Sequence, residues 1–442
     1  MNIGSEMQEI SSNNKRIAKN TLLLYFRMLV TMAVSLYTSR VVLNILGVED
    51  FGIYNVVGGI VAMFGFINGS MTSATQRYLT FELGQNNRAQ LTKVFSTSLS
   101  IHGIISFLII VLAETVGLWF LWNKMQIPAD RMNAAFWVFQ CSVAASVIMI
   151  MSVPYNAAII AHERMSAFAY ISIIEVSLKL LIVCFLRYFH TDKLILYAVL
   201  IVIVQFLIRL CYSWYCNRHF NETKYRWSWD KGLFKEMTGF ASWNMFGSLA
   251  AITFTQGLNL LLNMFFGPVV NAARGIAVQA QTAIGQFSSN FQTALNPQIT
   301  KSYATGDMEY MHGLIFRSAK FSFFLLLLLS LPVLIETKAI LTLWLKIVPD
   351  HTVVFLRIML CTTWVYAVSN PLITAASATG KIKLYQSVVG GLLLLILPIS
   401  YLCLRFGLPA YSVFIVHFVM EITAQFARLL MLRRMIRLSL RE

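Results

Sequence analysis

The stretch Glu114-Thr115-Val116-Gly117-Leu118-Trp119-Phe120-Leu121-Trp122-Asn123-Lys124-Met125-Gln126-Ile127-Pro128 returns in altered form as Glu336-Thr337, then Leu343-Trp344-Leu345-Lys346-Ile347-Val348-Pro349. Glu114 and Glu336 are 222 residues apart, as are Trp122 and Trp344, while Pro128 and Pro349 are 221 apart. Further along, Ser152-Val153-Pro154 matches Ser369-Asn370-Pro371 at an offset of 217. Each of these is followed by small residues (Ala157 and Ala158; Ala375 and Ala376) and then a basic turn at Arg164 or Lys381. Near the start of each copy, Asn44-Ile45-Leu46-Gly47 corresponds to Asn263-Met264-Phe265-Phe266-Gly267. Trp, Lys and Pro are common at the ends of membrane helices, so any one match is weak. Near-constant offsets at several separate places point to a duplicated unit.

Composition says what kind of unit this is. Of 442 residues, 57% are hydrophobic and 12% charged, and the mean hydropathy is +0.67. Soluble domains carry about 25% charged residues, so these charges cannot cover a water-facing surface and lipid is the outer solvent. A helix needs about 20 apolar residues to cross the hydrocarbon. Twelve stretches qualify, near 20–46, 53–80, 94–121, 133–160, 166–189 and 193–216, then near 239–265, 271–300, 315–337, 351–378, 384–404 and 409–431. Open-edged strands cannot exist in lipid, so the expected fold is an all-α membrane protein of about twelve spans. Six spans per copy is an even number, so both copies insert the same way up. Two six-helix lobes related by a pseudo-two-fold axis along the membrane normal follow, an arrangement of transporters. The expected division is a tail at 1–19, an N-lobe at 20–217, a basic linker at 218–238, a C-lobe at 239–431 and a basic tail at 432–442.

Lysine and arginine set the orientation. Twenty-two of them, Arg428 among the tail's contribution, fall on the side of the termini and eight on the other. Both termini are therefore expected in the cytoplasm of a bacterial inner-membrane protein. The net charge of +16 is then a topology signal that calls for no nucleic acid. The polar segment Met1–Lys19 lacks the apolar core of a signal peptide. The six cysteines fall in apolar stretches without a CxxC pair and read as reduced, buried thiols. No cofactor motif, metal-ligand spacing or catalytic constellation stands out.

Ionisable residues inside spans cost about 2.5–3.5 kcal/mol each and mark function or pairing. Lys179 follows Glu175 at i+4 and reads as an ion pair, and Arg209 and Arg357 lie close enough to span ends to snorkel. Arg27 differs, with Thr31, Ser35 and Thr38 on its helical face and Arg40 further along the same span. Polar residues also mark the eighth span (Asn271, Arg274, Gln281, Ser288, Gln292) and the seventh (Asn259, Asn263). Two readings stand here: hydrogen bonds between helices, or a wet cationic cavity whose guanidinium groups suit phosphate oxygens. The candidate substrate-binding set is Arg27, Thr31, Arg40, Asn259, Asn263, Asn271, Arg274 and Gln281. Glu114 and Glu336 are candidates for a gate or for carrying a coupling H+ or Na+, Glu421 is open between the same roles, and Pro154 and Pro371 are candidate helix hinges.

The segment Leu46-Gly47-Val48-Glu49-Asp50-Phe51-Gly52-Ile53-Tyr54-Asn55, with Gln76-Arg77, the Asn271-Ala272-Ala273-Arg274-Gly275-Ile276 turn and the two proline helices, resembles the Wzx-type polysaccharide flippases. Their superfamily also holds the MATE multidrug exporters and the lipid II flippase. The resemblance covers nearly the whole chain. It implies transfer of undecaprenyl-pyrophosphate-linked oligosaccharide from the cytoplasmic to the periplasmic leaflet, for O-antigen or capsule synthesis. Membrane lipids and the polysaccharide polymerase machinery are the implied partners, with Arg27, Arg40 and Arg274 drawing in the pyrophosphate and the amides meeting sugar. The alternative is a MATE-like, ion-coupled exporter of drugs. Against it, the first span carries arginines and no carboxylate. A membrane glycosyltransferase would need a larger extramembrane domain than these loops allow.

Overall fold

The computed structural model describes residues 3–62, 65–123, 127–186, 188–189, 191–224, 230–345 and 348–438, with the side chains of 3–14, 36, 39–40, 43, 48–49, 52, 55–56, 59–62, 65–68, 268 and 271–272 excepted. Among them there is no strand. The helices are α1 (Ile3–Ala62), α2 (Gly65–Gly84), α3 (Arg88–Leu112), α4 (Leu118–Asn123), α5 (Met132–Ala161), α6 (Met165–Leu186) and α7 (Lys193–His219). There follow α8 (Lys231–Phe266), α9 (Pro268–Thr305), α10 (Met308–Ile335), α11 (Thr337–Leu345), α12 (Thr352–Ala378), α13 (Lys383–Arg405) and α14 (Ser412–Met435). The chain divides into two compact units, Met1–Thr238 and Gly239–Glu442. Residues 231–238, read from sequence as linker, form the first turns of α8.

Ten helical segments are long and apolar enough to cross a bilayer among the described residues. Of the twelve spans expected, the second of each unit falls outside that count: α2 with the end of α1, and α9. The helix α9 carries too many amides and hydroxyls to pass on hydropathy, and the expected span near 53–80 includes residues that lie outside the described ones.

Each unit has its own core. In the first, Phe139, Val138 and Ala135 of α5 pack with Leu121 of α4, Val57 of α1 and Leu194 of α7. In the second, Phe355, Leu356 and Leu360 of α12 pack with Leu262 of α8, Ala277 of α9, Ile396 of α13 and Phe414 of α14. Apolar side chains such as Phe107, Leu328 and Leu430 point outward, as a lipid-facing surface requires.

Details of backbone geometry recur between the units. Gly47 breaks α1 at φ 79°, ψ 171°, and Gly267, between α8 and α9, sits at φ 78°, ψ −171°. That region is open essentially to glycine alone. Pro154 and Pro371 are both buried inside helices. Two residues before each, a serine returns its hydroxyl to a carbonyl four back: Ser152 to Ile148 at 2.7 Å and Ser369 to Val365 at 2.9 Å. A missing proline N–H and a back-bonding serine both favour a bend.

Gly267 gives a direct test. No atom lies within 4 Å of where its Cβ would stand, so Gly267→Ala is opposed by backbone strain alone, about 1–3 kcal/mol. Gly313, inside α10, is equally open, and Gly313→Ala is expected to stabilise by up to about 1 kcal/mol. Thermal unfolding of the detergent-solubilised protein should show opposite shifts; a neutral Gly267→Ala would contradict the strained turn.

Candidate functional site

In the first unit, α1 packs on α5 and α6, and α7 packs on the same pair. Arg27 emerges from α1 half-buried, its guanidinium 4.5 Å from the centre of the Phe168 ring on α6. Thr31, one turn on, donates its hydroxyl to the Met28 carbonyl at 3.1 Å. Arg209 on α7 lies over the Tyr155 ring at 4.1 Å. The expected Glu175–Lys179 pair is present at 2.6 Å, and Gln205 donates to the same carboxylate at 3.1 Å. The side chains of Arg40 and Asn271 lie outside the described residues, as do Lys124 and Lys346.

In the second unit the named polar residues hold helices together. Arg274 on α9 is 9% exposed and reaches α8, donating to the Thr255 carbonyl at 2.8 Å and to Asn259 Oδ1 at 3.3 Å. Gln281 donates to the Met359 carbonyl at 3.1 Å and to the Thr363 hydroxyl at 2.8 Å, both on α12. Gln292 is bonded on both sides of its amide, to Ser322 and, at 3.0 Å, from Ser318. Asn263 is exposed, and its carbonyl accepts from Gly267 N–H at 2.9 Å. Of the two readings of this stripe, interhelical bonding is the one these contacts display.

Another face of α9 went unnoticed in the sequence. Gly275, Gln279, Thr282, Gln286 and Ser289 are all exposed, with Thr293 next in the series. Their spacing of four, three, four, three and four keeps them on one side of the helix. No large apolar side chain is exposed between Val269 and Phe321. The same holds between Tyr37 and Ile104 among the described residues, the stretch containing α2. Every other long helix of the second unit exposes bulky apolar groups, so α9 presents a face that lipid would not solvate. The signal was available: the residues picked from sequence share a helix with this ladder, and only burial separates the two faces.

Glu114 lies exposed within a π-helical segment, Ala113–Gly117, where Gln140 donates to it at 3.2 Å. Glu336 ends α10, also exposed, and beside it Arg357 binds the Thr337 hydroxyl at 3.0 Å and the Ile335 carbonyl at 3.4 Å. Arg428 corrects the charge count. It is no tail residue: 3% exposed, it donates to Glu421 at 2.7 Å, to the Ser369 hydroxyl at 2.9 Å and to Tyr385 at 3.2 Å. Glu421 therefore has its counter-ion within its own helix.

Two further ionic groups organise the first unit. At one end Arg131 meets Asp50 through Nε at 2.9 Å and Nη2 at 2.6 Å, and Asp192 through Nη1 at 2.7 Å. Those three residues belong to the three turns joining successive pairs of spans. Burial pushes the Asp192 carboxyl up, but bonds from Arg131 and the Leu194 and Ile195 amides outweigh it and hold it below its ordinary value. On the turns after α5 and α7, His162 contacts Glu222 at 2.5 Å and stacks on Phe220. Burial raises the Glu222 carboxyl, but the His162 contact, a backbone N–H and the nearby positive charges of His162 and Arg88 together outweigh it, so the net shift is downward.

Comparison with solved structures places the fold. The chain is similar to an outward-facing MATE-family multidrug resistance transporter of the MOP superfamily, with 12% identity, TM-score 0.83 and 96% of each chain covered. It is similar to the Vibrio cholerae MATE transporter VcmN in its bent form, with 16% identity, TM-score 0.81 and coverage of 97% and 98%. A MOP-superfamily transporter from Pyrococcus furiosus, described as having a binding pocket of reversed polarity, matches at 13% identity, TM-score 0.81 and 96% of each chain. No curated protein sequence matches the chain. The profile of the polysaccharide biosynthesis protein family matches residues 17–303. A multi-pass, two-lobed helical fold of the kind seen in MATE transporters, in a chain that carries that profile over most of its length, makes the chain a member of the polysaccharide biosynthesis protein family.

Proposed function

We propose that this chain moves an undecaprenyl-pyrophosphate-linked oligosaccharide across the inner membrane by alternating access, from the cytoplasmic to the periplasmic leaflet. The observation that carries the reading is Arg27: a half-buried guanidinium in a first span that holds no Asp or Glu between residues 20 and 46. A span of this kind repels cationic drugs and attracts phosphate oxygens. Arg27, Thr31 and Arg40 on α1, with Asn263 and Asn271 in the second unit, are the proposed cargo contacts, while Arg274, Asn259 and Gln281 are engaged between helices. Glu114 and Glu336 are the proposed gate or coupling groups for H+ or Na+, and Pro154 and Pro371 the proposed hinges. The lysine and arginine asymmetry supports cytoplasmic termini, and the polymerase machinery is the proposed recipient of the cargo.

Deleting the gene in its host should abolish surface polysaccharide and leave lipid-linked repeat units on the cytoplasmic face. Unchanged glycan with altered drug tolerance would support the exporter reading. In the complemented strain, Arg27→Ala should lower surface glycan about ten- to hundredfold, the worth of one or two charge-assisted hydrogen bonds, at unchanged protein abundance. Wild-type glycan with Arg27→Ala would remove this residue from the cargo path.

A further inference from the structure

The exposed ladder on α9 has a chemistry of its own. Between Arg274 and Lys301 the sequence contains no Asp, Glu, Lys or Arg. Over that stretch Gly275, Gln279, Thr282, Gln286, Ser289 and Thr293 follow one line down the helix, about 27 Å long at 1.5 Å per residue. The side-chain amides of Gln279 and Gln286 have no hydrogen-bond partner among the described residues. Thr282 and Thr293 commit their hydroxyl protons to Val278 and Ser289 carbonyls at 2.7 and 2.9 Å, which leaves their oxygens as acceptors. The amides on the other side are engaged by neighbouring helices: Gln281 donates to Met359 and Thr363, and Gln292 donates to Ser322 and accepts from Ser318.

Polar groups on a membrane helix face water or a polar ligand, because lipid offers them no partner. The character of the ladder narrows the ligand. An anion would call for arginine or lysine, and a cation for carboxylates or aromatic faces. Here every exposed group is neutral, and the glutamines both donate and accept. A glycan, neutral and bearing neighbouring hydroxyls that also do both, is complementary to that surface, and the glycine at the top of the line leaves room for a bulky ring.

We propose that the Gln279–Thr282–Gln286–Ser289 ladder is the track along which the sugar units of the cargo hydrogen-bond during transfer. The proposal rests on the flippase reading and adds the residues that meet the neutral part of the cargo, as distinct from its pyrophosphate.

The test is complementation of the deletion strain with Gln279→Leu/Gln286→Leu in the full-length chain. Surface glycan should fall by at least about tenfold, the effect of two lost hydrogen bonds. Protein abundance and the unfolding midpoint should stay at wild-type levels, since both side chains are exposed. Gln279→Asn/Gln286→Asn should restore most of the glycan. Wild-type glycan from the leucine pair overturns the track; if the deletion itself leaves glycan intact, the flippase reading falls instead. A second measurement does not depend on transport. With the native cysteines replaced by alanine, Gln286→Cys should react with a membrane-impermeant maleimide and Leu328→Cys on α10, 72% exposed, should not. An unlabelled Gln286→Cys would place the ladder against lipid or protein and overturn the proposal.

Discussion

Arg428→Leu should cost the second unit about 3–5 kcal/mol, the loss typical of stripping one partner from a buried ion pair. Glu421 and Arg428 have side chains 5% and 3% exposed, so removing the guanidinium leaves a carboxylate with no water to turn to. It also takes one hydrogen bond each from the Ser369 hydroxyl and the Tyr385 phenol, which the same guanidinium serves. The expected result is a sharp fall in folded protein and in the unfolding midpoint. Glu421→Gln should be milder, because an amide oxygen can still accept from Arg428. The decisive comparison is Glu421→Leu/Arg428→Leu. Removing both charges abolishes the desolvation penalty together with the attraction, so the double variant should recover well above either single leucine substitution. Additive losses would show that the two residues act independently, contrary to the 2.7 Å contact.

The same pair shows where reading the sequence stops. Ten of the twelve expected spans were legible as apolar helices because a lipid solvent forces apolar length and helical hydrogen bonding on them. The duplication was legible because Gly47 and Gly267, or Pro154 and Pro371, answer to local backbone demands that survive divergence. The Glu175–Lys179 pair was legible because i and i+4 meet on any helix. Arg428 was misread as a surface charge because positive-inside counting treats a basic residue near a span end as exposed. Its partners, Glu421 seven residues back and Tyr385 and Ser369 on other helices, depend on how α12, α13 and α14 pack. The α9 site was half-legible for a similar reason. Composition marks the helix as polar all round, and sequence alone could not divide Arg274, Gln281 and Gln292, which bind neighbouring helices, from Gln279, Thr282 and Gln286, which face outward. Asp50 was read only as part of the segment that carries the family resemblance. Its role depends on Arg131, 81 residues away.

That last contact supplies the other large effect. Arg131→Ala should destabilise the first unit by about 2 kcal/mol, between the value of an exposed pair and that of a buried one. The three side chains are 19–31% exposed, and the loss leaves Asp50 and Asp192 with no cation between them. Arg131→Lys should recover only part of this, because an ammonium cannot reproduce the two-nitrogen grip on Asp50 while also reaching Asp192. The pH dependence has a definite sign. The folded-state value of Asp192 lies below its ordinary 3.8, so its contribution is complete above that pH and disappears as the pH falls through the lower, folded-state value. Wild type and Arg131→Ala should therefore differ by a constant amount in unfolding midpoint from neutral pH down to about pH 5. The gap should close at more acid pH, as the protonated carboxyl no longer distinguishes the two proteins. A gap that instead opened on acidification would mean that Asp192 is held above its ordinary value in the folded chain, with burial outweighing the bonds from Arg131 and the α7 amides.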